Sequence, residues 1–468
     1  MDNSEVKTRF APSPTGHIHL GNARTALFNA LLARKHNGVL LLRIEDTDQE
    51  RSQDVYVRDL LQDLRWLGIT WQQGPELEDR QGPYFQSARN AVYEHYYQAL
   101  ESKDLVYPCF CSPTELALAR KAQLAAGRPP RYPGTCARLN EAERTARRER
   151  GIQPTLRFRV PTGQVVAFDD LVRGPQRFQT DDIGDFIIRR ADGSAQFFFT
   201  NAVDDALMAV THVLRGEDHL TNTPRQLLLL EALDLPAPRY GHIALLVGAD
   251  GSPLSKRHGS RSLQQLRAAG YLPEALTNYL ARLGHTYTED GWMDADELAA
   301  AFNLERLNRA PARYDEAQLL HWQTEAVNRI DAAALWEWMG QPVHQGVPET
   351  ARSEFVAAVR PNIQFPAEAQ DWAQRLFGTL LPLSVEAQAV IAAAPAGFFV
   401  NALAAYEEHG AAYEGLVGEL KRRSGVKGKA LFMPLRAALT GLTHGPELAR
   451  LLALIPAELV RQRLRHPG

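Results

Sequence analysis

The segment of residues 9–22 constrains the fold more than any other, because it lies between a strand signal and a helix signal. Residues 6–10 have the pattern of a short strand, which two prolines then prevent from continuing. From Asn22 apolar side chains recur at helical spacing, Gly38 follows as the expected C-cap, and residues 39–44 form an apolar strand. This order predicts a strand–helix–strand unit whose first loop would bind a nucleotide.

Length and composition indicate a large globular protein with several domains. The 468 residues suggest roughly three domains, and the content of 45% apolar and 23% charged residues is ordinary for globular chains. A formal net charge of −3 argues against a protein coated in positive charge, although RNA binding needs only a local basic surface. Residues 138–150 mix arginine with glutamate and predict a solvated helix, whereas the basic segment 421–429 leaves RNA contact and solvated surface open.

Targeting and membrane-spanning signals are missing from the sequence. The first residues lack the charged, apolar and small-residue pattern of a signal peptide. No apolar run reaches membrane-spanning length, and the best stretch, residues 389–400, is interrupted by Pro395 and Gly397. The sequence therefore predicts a cytoplasmic protein without a membrane partner.

The structural signals change twice along the chain. From residue 109 to about residue 199, short strands and a basic helical stretch indicate an α+β insertion. Parallel-sheet signals resume at residues 209–214 and 242–247, and helices dominate beyond about residue 260. We predict an α/β fold in which a doubly wound Rossmann-type parallel sheet carries the insertion and is followed by all-α domains. The predicted parts are the two halves of the Rossmann domain, 1–108 and 200–259, the insertion, 109–199, and two helical domains, 260–340 and 341–468.

The three cysteines, Cys109, Cys111 and Cys136, fall within one short region. An odd number of cysteines in a cytoplasmic chain argues against structural disulfides, and their clustering favours a metal. Tetrahedral zinc needs a fourth donor, for which Tyr132 is the candidate. The alternative is three reduced thiols in a domain without metal, since tyrosine is a poor zinc ligand.

Two separated motifs carry a resemblance to a known family. The motifs His19-Leu-Gly-Asn22 and Pro253-Leu-Ser-Lys-Arg257 resemble the HIGH and KMSKS signatures of class I aminoacyl-tRNA synthetases. Over most of the chain the similarity is greatest to the bacterial glutamyl-tRNA synthetases. Each motif alone is weak, but together, in this order, they are specific.

The resemblance implies that the chain joins glutamate to ATP and then transfers glutamate to the 3'-terminal adenosine of tRNA(Glu). The glutamate carboxylate must attack the α-phosphate, so the site needs positioning and cationic or N–H stabilisation rather than a protein nucleophile. His19 and Lys256 are the implied catalytic residues, with Mg²⁺ on the phosphates. The implied ATP-binding residues are Ala11, His19, Gly21, Asp218, Leu246 and Lys256.

Selection of glutamate requires a cation that faces the side-chain carboxylate, for which arginine offers bidentate geometry. The resemblance implies that Arg9 holds this γ-carboxylate and that Ser13 and Glu45 bind near the α-amino group. Phe197, Asn201 and Arg215 would complete the pocket.

Three residues depart from the family pattern. Pro253 stands where lysine is usual, so one cation of the KMSKS loop is missing. Phe197 stands where tyrosine is usual, which removes a hydroxyl group, and Asn22 replaces the last histidine of the HIGH motif. The first two departures affect rate or affinity without removing the main site.

The resemblance also implies the metal and the partners. Some relatives bind zinc through Cys-x-Cys and Tyr-x-x-x-Cys, which matches Cys109, Cys111, Tyr132 and Cys136; others have a histidine where this chain has Arg138. The implied substrates are tRNA, L-glutamate and ATP, and the implied state is a monomer. The insertion would bind the acceptor end of tRNA, the first helical domain the stem, and the last domain the anticodon.

Other functions remain open at this point. The nearest is a paralogue that glutamylates tRNA(Gln) or both tRNAs. An inactive RNA-binding paralogue would explain Pro253 and Phe197, but the chain keeps Arg9, His19 and Lys256. A small-molecule nucleotidyltransferase would leave the helical C-terminal region unexplained.

Overall fold

The structure is a computed structural model that describes residues 5–47, 53–77, 81–248, 250–252, 254, 261–379 and 382–467. The described residues fall into two compact units, one within residues 1–266 and 276–316 and the other within 267–275 and 317–468. The predicted division into five parts is finer than this and stays a prediction.

The chain up to residue 315 alternates strands and helices. Its strands are β1 (Lys7–Phe10), β2 (Val39–Leu42), β3 (Val106–Cys109), β4 (Thr155–Phe158), β5 (Val165–Asp170), β6 (Gly174–Gln179), β7 (Phe186–Arg189), β8 (His212–Gly216), β9 (Arg239–Ile243), β10 (Leu246–Val247) and β11 (Ala312–Arg313). Its helices are α1 (Leu20–Lys35), α2 (Asp54–Trp66), α3 (Asn90–Ser102), α4 (Pro113–Ala125), α5 (Glu141–Glu149), α6 (Thr180–Ile183), α7 (Phe197–Leu207), α8 (Thr223–Ala232), α9 (Leu263–Ala268), α10 (Pro273–Arg282) and α11 (Ala295–Ala301).

Four parallel strands form the central sheet, in the order β2-β1-β8-β9. β2 lies on one side of β1 and β8 on the other, so the order of the strands reverses between β1 and β8. In doubly wound sheets such a reversal opens a crevice at the carboxyl ends of the strands. The predicted parallel sheet is confirmed, and its reversal point indicates where a ligand would bind.

Two predicted strands have other limits in the structure. The strand predicted at 209–214 begins at His212, because Ala209 has a left-handed φ of 52° that follows the end of α7. The strand predicted at 242–247 is divided, since β9 ends at Ile243 and β10 pairs with β11 instead. Pairing with such a distant segment leaves no trace in the local pattern.

The first helix also differs from its prediction at both ends. It begins directly after His19, which is the N-cap in an extended conformation, and not at Asn22. At its other end Asn37, with a φ of 49°, adopts the left-handed conformation that had been expected of Gly38. A Cβ atom on Gly38 would lie 1.9 Å from the backbone oxygen of Val6. Glycine is needed there because the chain passes close to β1.

The α+β insertion follows α3, as predicted. β3, β4 and β7 form an antiparallel sheet, and β5 and β6 form a hairpin. Phe158 and Ile188 of the insertion share a core with Phe199 of α7. The turn of the hairpin lies against the central sheet, where the Leu171 N–H donates to the backbone oxygen of Tyr240 at 2.8 Å. The insertion is therefore anchored directly to β9.

The described residues of the second unit are helical, which confirms the all-α prediction. Two of its helices, Phe398–His409 and Tyr413–Ser424, follow each other closely and are separated at Gly410, which has a φ of 56° and a ψ of −136°. No helix in the described ranges is both long and apolar enough to span a bilayer. The helices are α12 (Glu316–Arg329), α13 (Ala332–Met339), α14 (Gln341–Gly346), α15 (Arg352–Val359), α16 (Pro366–Phe377), α17 (Val385–Ala392), α18 (Phe398–His409), α19 (Tyr413–Ser424), α20 (Lys429–Thr440), α21 (Leu448–Leu454) and α22 (Ala457–Arg465).

Candidate active site

A cavity of about 560 Å³ opens at the carboxyl ends of β1 and β8, where the strand order reverses. Every described residue predicted to bind glutamate or ATP lines this one cavity, although these residues come from five separate segments. They are Arg9, Ala11, Ser13, His19, Gly21, Glu45, Phe197, Asn201, Arg215, Asp218 and Leu246. The structure therefore brings the predicted residues together, while the role of each stays a prediction.

The catalytic lysine of the prediction, Lys256, lies outside the described residues, as does Pro253. Described residues on either side of this loop border the site. Leu254 lines the cavity, and Ser262 forms an isolated antiparallel bridge with His19. Convergence of Lys256 on the cavity stays a prediction.

The N-terminus of α1 forms one wall of the cavity. His19 is its N-cap, and the first turn contains no acidic residue. A Cβ atom added to Gly21 would meet nothing within 4 Å, so this turn borders open space. Free backbone N–H groups and the helix dipole make such an end attractive to phosphate.

The cavity floor is built on Arg43, whose side chain is fully buried. Its guanidinium lies 2.7 Å from Asp205 Oδ1, 3.2 Å from Glu45 Oε1 and 3.9 Å from Asp204 Oδ2. Burial disfavours the charged guanidinium, but the three carboxylates outweigh burial and raise the pKa of Arg43. The pKa of Asp205 is lowered, because Arg43 and Arg9 outweigh the effect of burial. This ion cluster fixes the side chains that border the cavity.

Arg9 and Glu45 project from this floor and share Asn201 between them. Arg9 Nη2 donates to Asn201 Oδ1 at 3.3 Å, and Arg9 Nε lies 3.4 Å from Asp205. The amide nitrogen of Asn201 donates to Glu45 Oε1. Burial raises the pKa of Glu45 despite the opposing attraction of Arg43 and Arg9. A guanidinium group and a carboxyl group thus stand side by side in the cavity.

Arg215 supplies a second buried guanidinium. Its Nη2 donates to Thr223 Oγ1 at 2.8 Å and to Gln226 Oε1 at 2.7 Å, and its Nε donates to His242 Nε2 at 3.2 Å. Burial lowers the pKa of Arg215 to about 10, so the group stays charged at neutral pH. Within the described part of the chain, no acceptor lies within hydrogen-bond distance of its buried Nη1. A bound ligand with a hydrogen-bond acceptor would satisfy this donor.

Sequence reasoning missed three residues of this site: Arg43, Asp205 and His219. Asp205 stands four residues after Asn201 on α7, so helical spacing alone would have placed it on the same face. His219 packs its ring 5.2 Å from that of Phe197, and burial lowers its pKa to about 4. No local signal marks Arg43, whose carboxylate partners lie mostly on the distant helix α7.

The predicted zinc ligands also converge, at the end of β3. Cys109 and Cys136 are buried, and Cys111 Sγ lies 3.6 Å from Cys136 Sγ. The Tyr132 hydroxyl lies 3.4 Å from Cys109 Sγ and 3.5 Å from Cys111 Sγ. Burial, together with bonds to the thiols, raises the pKa of Tyr132, which favours the neutral phenol.

The geometry of this cluster fits zinc. Zinc bound to thiolates at about 2.3 Å would hold its sulfurs roughly 3.8 Å apart, close to the 3.6 Å between Cys111 and Cys136. The Arg157 guanidinium lies 3.8 Å from the Tyr132 ring centroid, and the Phe110 N–H donates to Cys136 Sγ at 3.4 Å. Both groups offset negative charge on the sulfurs. The three sulfurs, with the tyrosine oxygen as a weaker donor, are a consistent ligand set.

Comparison with known proteins decides the family. Residues 5–321 match the family model of the catalytic domain of class I tRNA synthetases for E and Q, and residues 318–467 match that of an anticodon-binding domain. The chain belongs to this family. As in other class I synthetases, ATP and Mg²⁺ are the general requirements of the reaction.

Relatives that match this synthetase over nearly its whole length are named for the same activity. The chain is 59% identical to a glutamate–tRNA ligase 2 of Nitrosococcus oceani, and the match covers 100% of this chain and 99% of that protein. It is 58% identical to a glutamate–tRNA ligase 2 of Alkalilimnicola ehrlichii, covering 99% and 98%. A crystal structure of a glutamate tRNA ligase from Elizabethkingia meningosepticum, in complex with its amino acid, matches with a TM-score of 0.89 at 26% identity over 99% of both chains.

Proposed function

We propose that this synthetase is a glutamate–tRNA ligase. It activates glutamate with ATP to glutamyl-adenylate and pyrophosphate, and then esterifies the 3'-terminal adenosine of tRNA(Glu). One observation carries the choice of amino acid: Arg9, Arg215 and Glu45 line a single cavity. Two guanidinium groups and one carboxylate complement the two carboxylates and one ammonium group of glutamate.

The buried partners of these groups support the proposed roles. Arg9, held by Asn201 and Asp205, would bind the γ-carboxylate. Arg215 would use its free Nη1 for a substrate carboxylate, and Glu45, with Ser13 nearby, would bind the α-ammonium group. Glutamine would offer Arg9 a neutral amide in place of the γ-carboxylate, so the charge-assisted bidentate hydrogen bond would be lost, which disfavours glutamine.

The N-terminus of α1 indicates which side of the cavity would bind ATP. His19 and the first-turn N–H groups would donate to phosphate oxygens, while Gly21 leaves space for the adenosine. Ala11, Asp218 and Leu246 would complete the nucleotide pocket, and Lys256 would neutralise the leaving pyrophosphate. Mg²⁺ would bind phosphate oxygens and offset their negative charge.

The two reaction steps need no protein nucleophile. An oxygen of the glutamate α-carboxylate forms a bond to the α-phosphorus, and pyrophosphate leaves with the electron pair of the broken P–O bond. A ribose hydroxyl of the terminal adenosine then attacks the carbonyl carbon, loses its proton, and displaces AMP. The site accelerates the first step by holding two anions together and balancing their charge.

We also infer a structural zinc ion in the insertion, held by Cys109, Cys111, Cys136 and Tyr132. Zinc would tie the end of β3 to the turn around Cys136 and so shape the face proposed to bind the acceptor end of tRNA. The first helical domain would contact the stem and the last domain the anticodon. The activity suits a cytoplasmic monomer.

Pyrophosphate exchange tests the proposed activity. Purified protein, labelled pyrophosphate and ATP are incubated with glutamate, glutamine or aspartate, with and without tRNA. We expect exchange with glutamate alone among the three. Absence of exchange in both conditions would contradict the proposal, and charging of purified tRNA(Glu) and tRNA(Gln) in parallel identifies the tRNA substrate.

A further inference from the structure

A chain of buried hydrogen bonds links Arg215 to the insertion. His242 on β9 accepts from Arg215 Nε at 3.2 Å, and its Nε2 also lies 3.1 Å from the Thr223 hydroxyl. On the other side of the ring, His242 Nδ1 lies 2.5 Å from Asp170 Oδ2. Asp170 is the last residue of β5 in the insertion. The chain of contacts therefore runs from the Asp170 carboxylate through the His242 imidazole to the Arg215 guanidinium, which borders the cavity.

The partners assign one state to His242. Because Arg215 Nε can only donate, His242 Nε2 must be an unprotonated acceptor, and the single ring proton must sit on Nδ1 and point to Asp170. Burial, with Arg215 nearby, lowers the pKa of His242 although Asp170 opposes this, which keeps the ring neutral.

Asp170 is itself held rigidly. Its Oδ1 accepts from three backbone N–H groups, those of Val172 at 2.9 Å, Arg173 at 2.8 Å and His242 at 3.1 Å. Burial opposes ionisation, but these bonds and the imidazole bond lower the pKa of Asp170. Only Oδ2 is left for the imidazole, so the carboxylate can act there solely as an acceptor.

We propose that Asp170 and His242 are positioning residues that orient the Arg215 guanidinium for a substrate carboxylate. Thr223 and Gln226 hold Nη2 and the His242 ring holds Nε, which leaves the buried Nη1 as the nitrogen without a partner among the described residues. Neither positioning residue lines the cavity. The inference deepens the proposed function, because it assumes that Arg215 binds the amino acid.

Asp170→Asn is the sharpest test, because it changes the proton pattern and not the shape. The three backbone N–H groups keep the amide oxygen in the place of Oδ1, so the NH₂ group faces His242 Nδ1. The ring proton must then move to Nε2, where it opposes the N–H of Arg215. We expect the KM for glutamate to rise about 10- to 100-fold, while the KM for ATP and kcat stay within about threefold.

The matched control is Asp169→Asn, the same change at the exposed neighbouring residue, and it should leave all constants unchanged. His242→Phe should raise the KM for glutamate as Asp170→Asn does, because the phenyl ring keeps the bulk of the imidazole but can neither accept from Arg215 nor donate to Asp170. The double variant should be no worse than His242→Phe alone. If the two substitutions raised the KM for glutamate independently, so that their effects multiplied in the double variant, the proposed positioning role would be wrong. Equal rises in the KM for glutamate and for ATP would also contradict it.

A measurement on the unmutated protein covers the case in which a variant does not fold. Nitrogen-15 spectra of histidine-labelled protein report which ring nitrogen carries the proton. The peak of His242 is assigned by its absence from the spectrum of the His242→Phe variant. A proton on His242 Nε2, or a charged His242 ring at neutral pH, would contradict the proposed positioning role of Asp170 and His242. Failure of exchange in the unmutated enzyme would instead refute the proposed function, so the two failures are distinguishable.

Discussion

Arg43 and Arg215, which are buried in the first unit, differ from Arg463, which is buried in the second, in what they contact. Arg43 contacts three carboxylates, and Arg215 lines a cavity with one nitrogen that no acceptor reaches within the described ranges. Arg463 of the second unit instead donates from both Nη atoms to backbone oxygens, those of Leu439 at 2.7 Å and Gly378 at 3.0 Å. The same side chain thus serves a ligand site in one unit and a helix end in the other.

The difference shows that burial alone does not identify a functional arginine. Leu439 lies in the last turn of α20, where carbonyl groups lack intrahelical partners, so Arg463 satisfies the end of that helix. Arg375 does the same for Thr440 at 3.0 Å. The carbonyl partners of Arg463 indicate a structural role, whereas Arg9, which pairs with a carboxylate and lines a cavity, has the features of a charge available to a ligand.

The largest expected effect is that of Arg9→Ala. Loss of the guanidinium that we propose to bind the γ-carboxylate should reduce kcat/KM for glutamate activation by about 10³-fold, with tRNA affinity unchanged because Arg9 is buried in the cavity. Pyrophosphate exchange and tRNA binding measure the two effects. If Arg9→Ala kept activity close to that of the unmutated enzyme, the proposed difference between ligand-binding and structural arginines would be wrong.

The cysteine cluster offers a third kind of site, for which we propose a metal instead of ion pairs. Metal analysis should find about one zinc per chain, and Cys109→Ser should lower the zinc content and weaken charging of tRNA. The exposed substitution Ser102→Ala, in α3 beside the insertion, serves as the control. An unmutated protein without zinc would refute the site directly.

Arg463→Met tests the structural side of the comparison. Two buried carbonyl groups lose their donor, so the free energy of unfolding should fall by about 2–3 kcal/mol. The KM for glutamate should not change. Urea unfolding followed by circular dichroism measures the first quantity and exchange kinetics the second. A rise in the KM for glutamate would mean that carbonyl partners do not mark a purely structural arginine.

The smallest effect concerns a buried histidine outside the cavity. His285 accepts from the Asn303 N–H at 3.1 Å, and burial lowers its pKa from 6.5 to about 4. Its stabilising effect is present above pH 6.5 and is lost as the pH falls toward 4, because only the unfolded chain binds a proton in that range. From pH 7 to pH 5, the unmutated protein should lose about 2 kcal/mol more stability than His285→Gln. Equal losses in urea unfolding would contradict the assigned charge state.

The sequence alone determined the features that depend on local pattern. The strand before residue 11, the first helix, the insertion and the helical second unit follow from periodicity, proline and glycine, since these act over a few residues. Motif resemblance then identified the family and a set of residues that the structure places around one cavity.

Only the tertiary structure decided what depends on distant partners. The predicted strand 242–247 divides because β10 pairs with β11, and Arg43 matters because α7 brings Asp204 and Asp205 to it. Asp170, His242 and Arg215 stand far apart in the chain, and no spacing rule connects them. Their link exists because the turn of the insertion hairpin packs on β9, and folding alone sets that contact.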